Sequence, residues 1–406
     1  MSCHPRVTAW TAIIHTRVPH WTTPYATVLA LGSLGMVWAR SCALTAVSAF
    51  LATWLHRQED TVRQQLRACC YEAAAQRGPT RQARGVETGC VPLVAGGVAQ
   101  WAGTPWALAL AATTLGSRFT VLALSVVDRG WAIPVAWTVL AATATQAWRR
   151  AWVRMLRQVR RAIPRAWTVL VLADRSWSAR WLSRRIPRLG WPPFWRSTPG
   201  GTFRPQGCVR AVPLKTWVPE PGTTWQGTAS ACQGRQRQLH GTLLAGWVAG
   251  SQAPWGLLTA WPPEARPAGW YGWRAWREQG CKSTKRAGWQ GPRTRMTMPA
   301  RAVRLWLAVA GATWGLVSVG GEADAAIPAS TRPAVTALLP MPRRRRCAPG
   351  LRLVRVCRRG WSIILEAGLA QAPLPLGRFL PEPWPAVTAR RERAPLLPDL
   401  EAPRAA

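Results

Sequence analysis

The 406-residue chain contains no asparagine, only three lysines (Lys215, Lys282, Lys285), and only 16 acidic residues. Phenylalanine and tyrosine are scarce too, eight together against 28 Trp. A well-packed core does not need that aromatic balance; it fits a GC-rich coding strand, and base drift among Arg, Gly and Trp codons is one source of it. A decayed reading frame is therefore among the expectations. The ten cysteines include no C-x-x-C pair, which excludes the usual zinc spacing, and they read as reduced thiols of a cytosolic protein. The five histidines form neither an H-E-x-x-H motif nor a cluster. Long apolar runs are missing as well. The run 26–55 is cut by Arg40, and 305–319 has 15 residues where a spanning helix needs about 20, so both read as buried helices. Residues 1–25 hold Arg6 and Arg17 and no uninterrupted apolar stretch, so no signal peptide is expected.

What is present is positive charge. Lys plus Arg number 53, giving a net charge of +37. The excess peaks between residues 101 and 320, and such a field attracts polyanions, nucleic acid first among them. The length suits two or three domains with at least one sizeable core, and excludes a peptide hormone, a collagen or a small disulfide module.

The pattern along the chain predicts an α/β fold. Residues 1–103 read as a helical N-terminal region, with a helix over 60–75, followed by a Gly/Pro/Thr-rich linker over 78–103. Residues 104–196 read as the first part of a mixed sheet. Short apolar runs at 106–112, 119–127 and 131–140 predict three strands joined by tight turns at 115–117 and 129–130. The second run is apolar on both faces, as in a covered central strand. Pro134 lacks a ladder donor and puts the third at an edge. An amphipathic helix over 146–161 then leads to the continuous run 167–173, a parallel strand reached by a crossover. A short helix to Ile186 and a strand near 191–195 follow. Residues 197–262 read as a β-rich insertion and 263–320 as returning helices. Residues 321–406 read as a basic, Pro-rich tail, largely disordered, with one amphipathic helix over 351–370.

Carboxylates are so few that chemistry has little choice. Between residues 101 and 320 there are five: Asp128, Asp174, Glu220, Glu264 and Glu278. Asp174 ends the run 167–173, the strand terminus where open α/β sheets place their sites; a helix N-cap is an equally good reading of it. Glu278 has companions. At 100° per residue Tyr271, Arg274, Glu278 and Lys285 share an arc of roughly 60° on one helix face. One carboxylate, two cations and a phenol suit a metal ion and phosphates together, and also suit a plain solvated face.

The spacing Tyr271-x2-Arg274-x3-Glu278-x6-Lys285 resembles the YREK signature of bacterial insertion-sequence transposases of the DDE type, in the family numbered four. The resemblance runs from about residue 26 to 320 and includes 118–122, 132–137, 171–175 and 285–289. It implies a ribonuclease-H-like core with a β-rich insertion, in which two Asp and one Glu hold two Mg²⁺ or Mn²⁺ ions for in-line attack on a DNA phosphodiester, leading to cleavage and strand transfer. By that resemblance Asp174 and Glu278 are catalytic metal ligands, while Tyr271, Arg274 and Lys285 bind DNA near the transposon end. The implied partners are duplex DNA and the terminal inverted repeats, gripped by a homodimer in a synaptic complex. The implied location is the bacterial cytoplasm, at the nucleoid, with no membrane.

One departure matters. Where related sequences read Leu-Ala-Leu-Asp-Ala-Thr, this chain reads Leu108-Ala109-Leu110-Ala111-Ala112-Thr113, so Ala111 occupies the first Asp position. Asp128 is expected to lie roughly 20 Å away, too far to replace it. Trp177, Trp217 and Trp273 also stand where smaller residues are expected. Catalysis is therefore expected to be impaired. The competing readings are a non-catalytic basic DNA-binding remnant that occupies transposon ends, and a ribonuclease-H-like nuclease of unrelated role.

Overall fold

A computed structural model of the chain describes residues 4–17, 19, 21–71, 86–103, 105–144, 148–173, 180–197, 201–231, 239–247, 252–261, 280, 288–327 and 356–381. These residues form a mixed α/β protein that divides into two compact units.

The first unit draws on Met1–Ala173, Gly272–Pro340 and Arg345–Pro383. It opens with helices α1 (Pro5–Arg17), α2 (Thr23–Ala39), α3 (Leu44–Leu55) and α4 (Glu59–Cys69). α2 stops at Arg40, which adopts a left-handed conformation (φ 48°), and the chain bends by 96° into α3. Glu59 and Asp60 in the first turn of α4 and Arg67 in its last turn complement the helix dipole. Next comes α5 (Val86–Ala99), a helix where a linker was expected. Its glycines misled the reading: a Cβ at Gly89 or Gly97 would overlap the rings of Trp21 and Trp314, so both are close-packing positions.

The three predicted strands are present as β1 (Pro105–Leu115), β2 (Phe119–Asp128) and β3 (Trp131–Ala141). Every residue of β2 is buried, as its two-faced apolar pattern required. The β2–β3 turn has positive φ at both Arg129 (45°) and Gly130 (81°), the handedness a two-residue hairpin needs. Helix α6 (Trp148–Ala162) buries Ala151, Trp152, Met155, Leu156 and Val159 against β2 and β3. It leads to β4 (Thr168–Ala173), parallel to β1 with Ala109 opposite Leu172. Strand order in this unit is β3-β2-β1-β4, with β3 terminal as Pro134 demanded. The β2–β3 register shifts between Leu124, opposite Ala136, and Ser125, opposite Pro134, which leaves Val135 as the extra residue of a bulge.

The second unit takes in Asp174–Tyr271. It contains α7 (Arg180–Arg185), β5 (Pro193–Arg196), β6 (Thr202–Pro205), β7 (Val212–Pro213), α8 (Leu214–Trp217), β8 (Thr224–Ala231), β9 (Leu239–Gly246) and β10 (Trp255–Thr259). The order β5-β10-β9-β8-β6-β7 is antiparallel throughout. Phe203, Leu214, Val218, Ala229, Leu243 and Ala245 form its core, and Trp217 meets Trp225 at 4.6 Å between ring centroids. β5 clusters here, with the strands of 197–262, because it pairs with β10.

The first unit closes with α9 (Pro299–Ala325) and α10 (Val356–Leu369). α9 has 27 residues, well beyond the 15 of its apolar run, so shortness does not distinguish it from a spanning helix; 78% of its most apolar window is buried inside the protein. It packs on β3, where Trp137 Nε1 donates to Val303 O at 2.9 Å and Trp314 Nε1 donates to Pro134 O at 3.0 Å. α9 and α10 touch through Gly320 and Gly360, where a Cβ on either would strike the other helix's backbone.

Within the tail expected to be largely disordered, residues 356–381 are packed. Phe379 is 1% exposed, stacks on Trp101 and shares a β-bridge with it, while Arg378 Nε donates to Glu322 at 2.9 Å. Composition could not reveal these partners, which are distant in sequence. Between them lies a buried ion pair: Arg129 donates to Asp324 Oδ2 at 2.8 Å and, through Nε, to Leu380 O at 2.7 Å.

Candidate functional site

Asp174, Tyr271, Arg274, Glu278 and Lys285, together with Trp177 and Trp273, lie outside the described residues. Ala111 and Asp128 lie inside them.

Ala111 sits near the middle of β1, paired with Ala123 of β2, which in turn pairs with Trp137 of β3. Side chains alternate along a strand, so Ala109, Ala111 and Thr113 share a face with Val121, Ala123 and Ser125 of β2. The bulge at Val135 preserves that face across β3, bringing Pro134 and Trp137 to the same side. α9 lies over this face, as the Trp137 and Trp314 hydrogen bonds show. Between sheet and helix is a small cleft whose lining includes Ala111, Ala123, Ser125, Ala132, Gly280 and Thr313. Gly280 stands two positions along the chain from Glu278, and a Cβ on it would press into Ala132 at 2.8 Å. Ala111, at the position expected for the first Asp, thus lines a small cleft that Gly280 also lines.

The cleft's chemistry is mild. Ala111 is 3% exposed, and the side-chain oxygens among the described lining residues are the hydroxyls of Thr113, Ser125 and Thr313. No carboxylate is among the described lining residues. Among the described residues no group of three or more His, Cys, Asp or Glu could share a cation.

Asp128 does not substitute. It is five residues along β2 from Ala123, the partner of Ala111, a separation of roughly 17 Å at strand rise, and its even number puts it on the opposite face. It is buried at the closing pair of the β2–β3 turn, opposite Trp131.

Sequence reasoning missed Ser125, Gly280 and Thr313. Ser125 was within reach, since counting back from the β1–β2 turn places it on the Ala111 face; Thr313 needed the α9–β3 packing, which no local pattern encodes.

The described cysteines form no disulfide, and three of them are chemically quiet. Burial pushes Cys42 and Cys357 up to about 12, and raises Cys70 further, helped by its neighbour Cys69. None of these is a poised nucleophile. A comparison of the sequence with known protein families finds no match, and no curated protein matches it.

Proposed function

We propose that this chain is a duplex-DNA-binding protein of the DDE transposase type whose phosphoryl-transfer centre is incomplete, so that it occupies transposon ends and cleaves them poorly. The observation that carries the reading is the strand order β3-β2-β1-β4, an antiparallel meander followed by a helix and a strand parallel to the first, which is the arrangement a ribonuclease-H-like core requires. The described β1–β4 ladder ends at Ala109 opposite Leu172, two residues short of Ala111 on one chain segment and of Asp174 on the other. In this reading Asp174 and Glu278 are the remaining ligands for Mg²⁺ or Mn²⁺, Tyr271, Arg274 and Lys285 grip DNA near the end, and position 111 contributes a methyl group. A charge of +37 supplies the attraction to DNA. The partners are terminal inverted repeats, bound by a homodimer at the bacterial nucleoid.

The non-catalytic form is favoured over the active enzyme by one specific feature, the alanine at position 111, where the resemblance expects the first Asp. Loss of one shared ligand costs several kcal/mol of transition-state stabilisation, which at about 1.4 kcal/mol per decade means a thousandfold or more in rate. The test combines duplex binding at two ionic strengths with Mn²⁺-dependent nicking of a transposon end. The unmodified chain binds with a steep salt dependence and nicks at background level. Ala111→Asp raises nicking, and adding Asp174→Asn or Glu278→Gln abolishes the gain. Binding indifferent to salt removes the nucleic-acid reading, and vigorous cleavage by the unmodified chain removes the incomplete centre.

A further inference from the structure

We propose that the arginine face of α6 is the surface on which this chain grips the sugar-phosphate backbone of duplex DNA; the inference rests on the DNA-binding reading and assigns it a place. The segment WRRAWVRMLRQVRRA holds six arginines and no acidic residue. At 100° per residue Arg149, Arg150, Arg154, Arg157, Arg160 and Arg161 fall within an arc of about 140°, and the buried Ala151, Trp152, Met155, Leu156 and Val159 occupy the opposite arc. Arg149, Arg150, Arg154, Arg157 and Arg161 are exposed, while Arg160 is half-buried and donates to Ile163 O at 3.0 Å.

The arrangement costs the isolated helix stability. Arg150 and Arg154, Arg154 and Arg157, Arg157 and Arg160, and Arg157 and Arg161 stand three or four apart, and each such like-charged pair destabilises a helix by about 0.2 to 0.5 kcal/mol. A solvated face ordinarily mixes signs and avoids this repulsion; a face that meets a polyanion turns it into attraction. Every cation here is an arginine, whose planar fork binds phosphate through two parallel hydrogen bonds. The buried side anchors the helix to β2 and β3, so the charges are held in place before any partner arrives. From Arg150 to Arg161 the helix rises roughly 16 Å, longer than the roughly 12 Å major groove of B-DNA is wide, so one face can engage phosphates on both of its edges.

The experiment compares two triple variants of the full chain, each losing three charges. One carries Arg150→Gln, Arg157→Gln and Arg161→Gln; the control carries Arg188→Gln, Arg210→Gln and Arg358→Gln at exposed positions elsewhere. Duplex affinity is measured from 50 to 200 mM salt, with circular dichroism to confirm folding and an Arg→Lys version of the α6 triple to restore charge. Each phosphate contact contributes about 0.9 to the salt slope, so the α6 variant's slope is shallower by about 2.7, and the fourfold salt step weakens it roughly fortyfold less than the wild type. The control keeps nearly the wild-type slope, and the Lys version restores most of it. Equal losses in the two triples overturn the assignment to α6 and leave DNA binding standing as a property of net charge. An α6 variant that has lost binding to anionic phosphatidylserine vesicles but not to DNA overturns it in favour of a lipid surface. A wild-type chain that binds no duplex at all removes the underlying function instead.

Discussion

Replacing Arg129 with Met should cost about 3 to 5 kcal/mol, a large part of a total stability of roughly 5 to 15. The guanidinium is 3% exposed and its partner carboxylate on Asp324 4% exposed, with 2.8 Å between the paired atoms, so removing one leaves the other's charge buried. A second loss accompanies the first, because Arg129 Nε also donates to the part-buried carbonyl of Leu380 at 2.7 Å, and a lost hydrogen bond of this kind costs about 0.5 to 1.5 kcal/mol more. The assay is a double-mutant cycle in urea using Arg129→Met, Asp324→Leu and the double variant. If the pair is coupled as its geometry indicates, the double variant is more stable than the sum of the single losses predicts by about 2 kcal/mol or more, since no isolated charge remains. Additive losses, to within about 0.5 kcal/mol, would refute the reasoning and reduce the pair to two independent packing contacts. A lower m-value for Arg129→Met would show that the segment ending at Leu380 has come away from the native state.

Gly360→Val should prevent α10 from seating on α9, since its Cβ strikes the Leu316 carbonyl; limited proteolysis within 356–381 at native conditions reads the release, and a protected segment would refute it. Burial raises the thiols of Cys42 and Cys357 to about 12, so their stabilising neutral form is fully favoured below the unfolded value near 9 and is lost as pH climbs toward 12. A Cys42→Ala, Cys357→Ala variant should therefore show a smaller fall in urea midpoint between pH 9 and 11 than the parent. Trp106 has a buried indole N–H with no acceptor among the described residues, whereas Trp314 donates to Pro134 O; Trp106→Phe should thus cost at least about 1 kcal/mol less than Trp314→Phe, and equal costs in thermal or urea unfolding would discount the hydrogen bond.

Parts of this architecture were legible from residue order and parts were not, for physical reasons. β1, β2 and β3 announced themselves because each is an apolar run of strand length closed by a turn, and the placement of Pro134 at an edge follows from its missing donor. α6 was legible because arginines and apolar residues segregate at helical period. α5 was misread because its glycines, which make room for Trp21 and Trp314, look locally like punctuation. The order of residues 373–381 was invisible because Phe379 is held by Trp101 and Trp314, which lie far away in the chain. At the candidate centre, the alanine at position 111 was readable directly. The wall opposite it, Trp306 and Thr313, depends on how a distant helix crosses the sheet.

The meeting of α9 and α10 has a consequence for motion. At Gly320 and Gly360 two backbones approach with no side chains between them, and such a contact has few partly seated arrangements. Separation by even an ångström or two loses it across the whole crossing, and with it the grip of Trp361 Nε1 on Val37 O and the burial of Phe379 beside Trp314. Residues 356–381 are therefore expected to open and close as one cooperative unit. Their amides should exchange with solvent at a common free energy below that of global unfolding, as a single late-joining piece set on an already folded sheet.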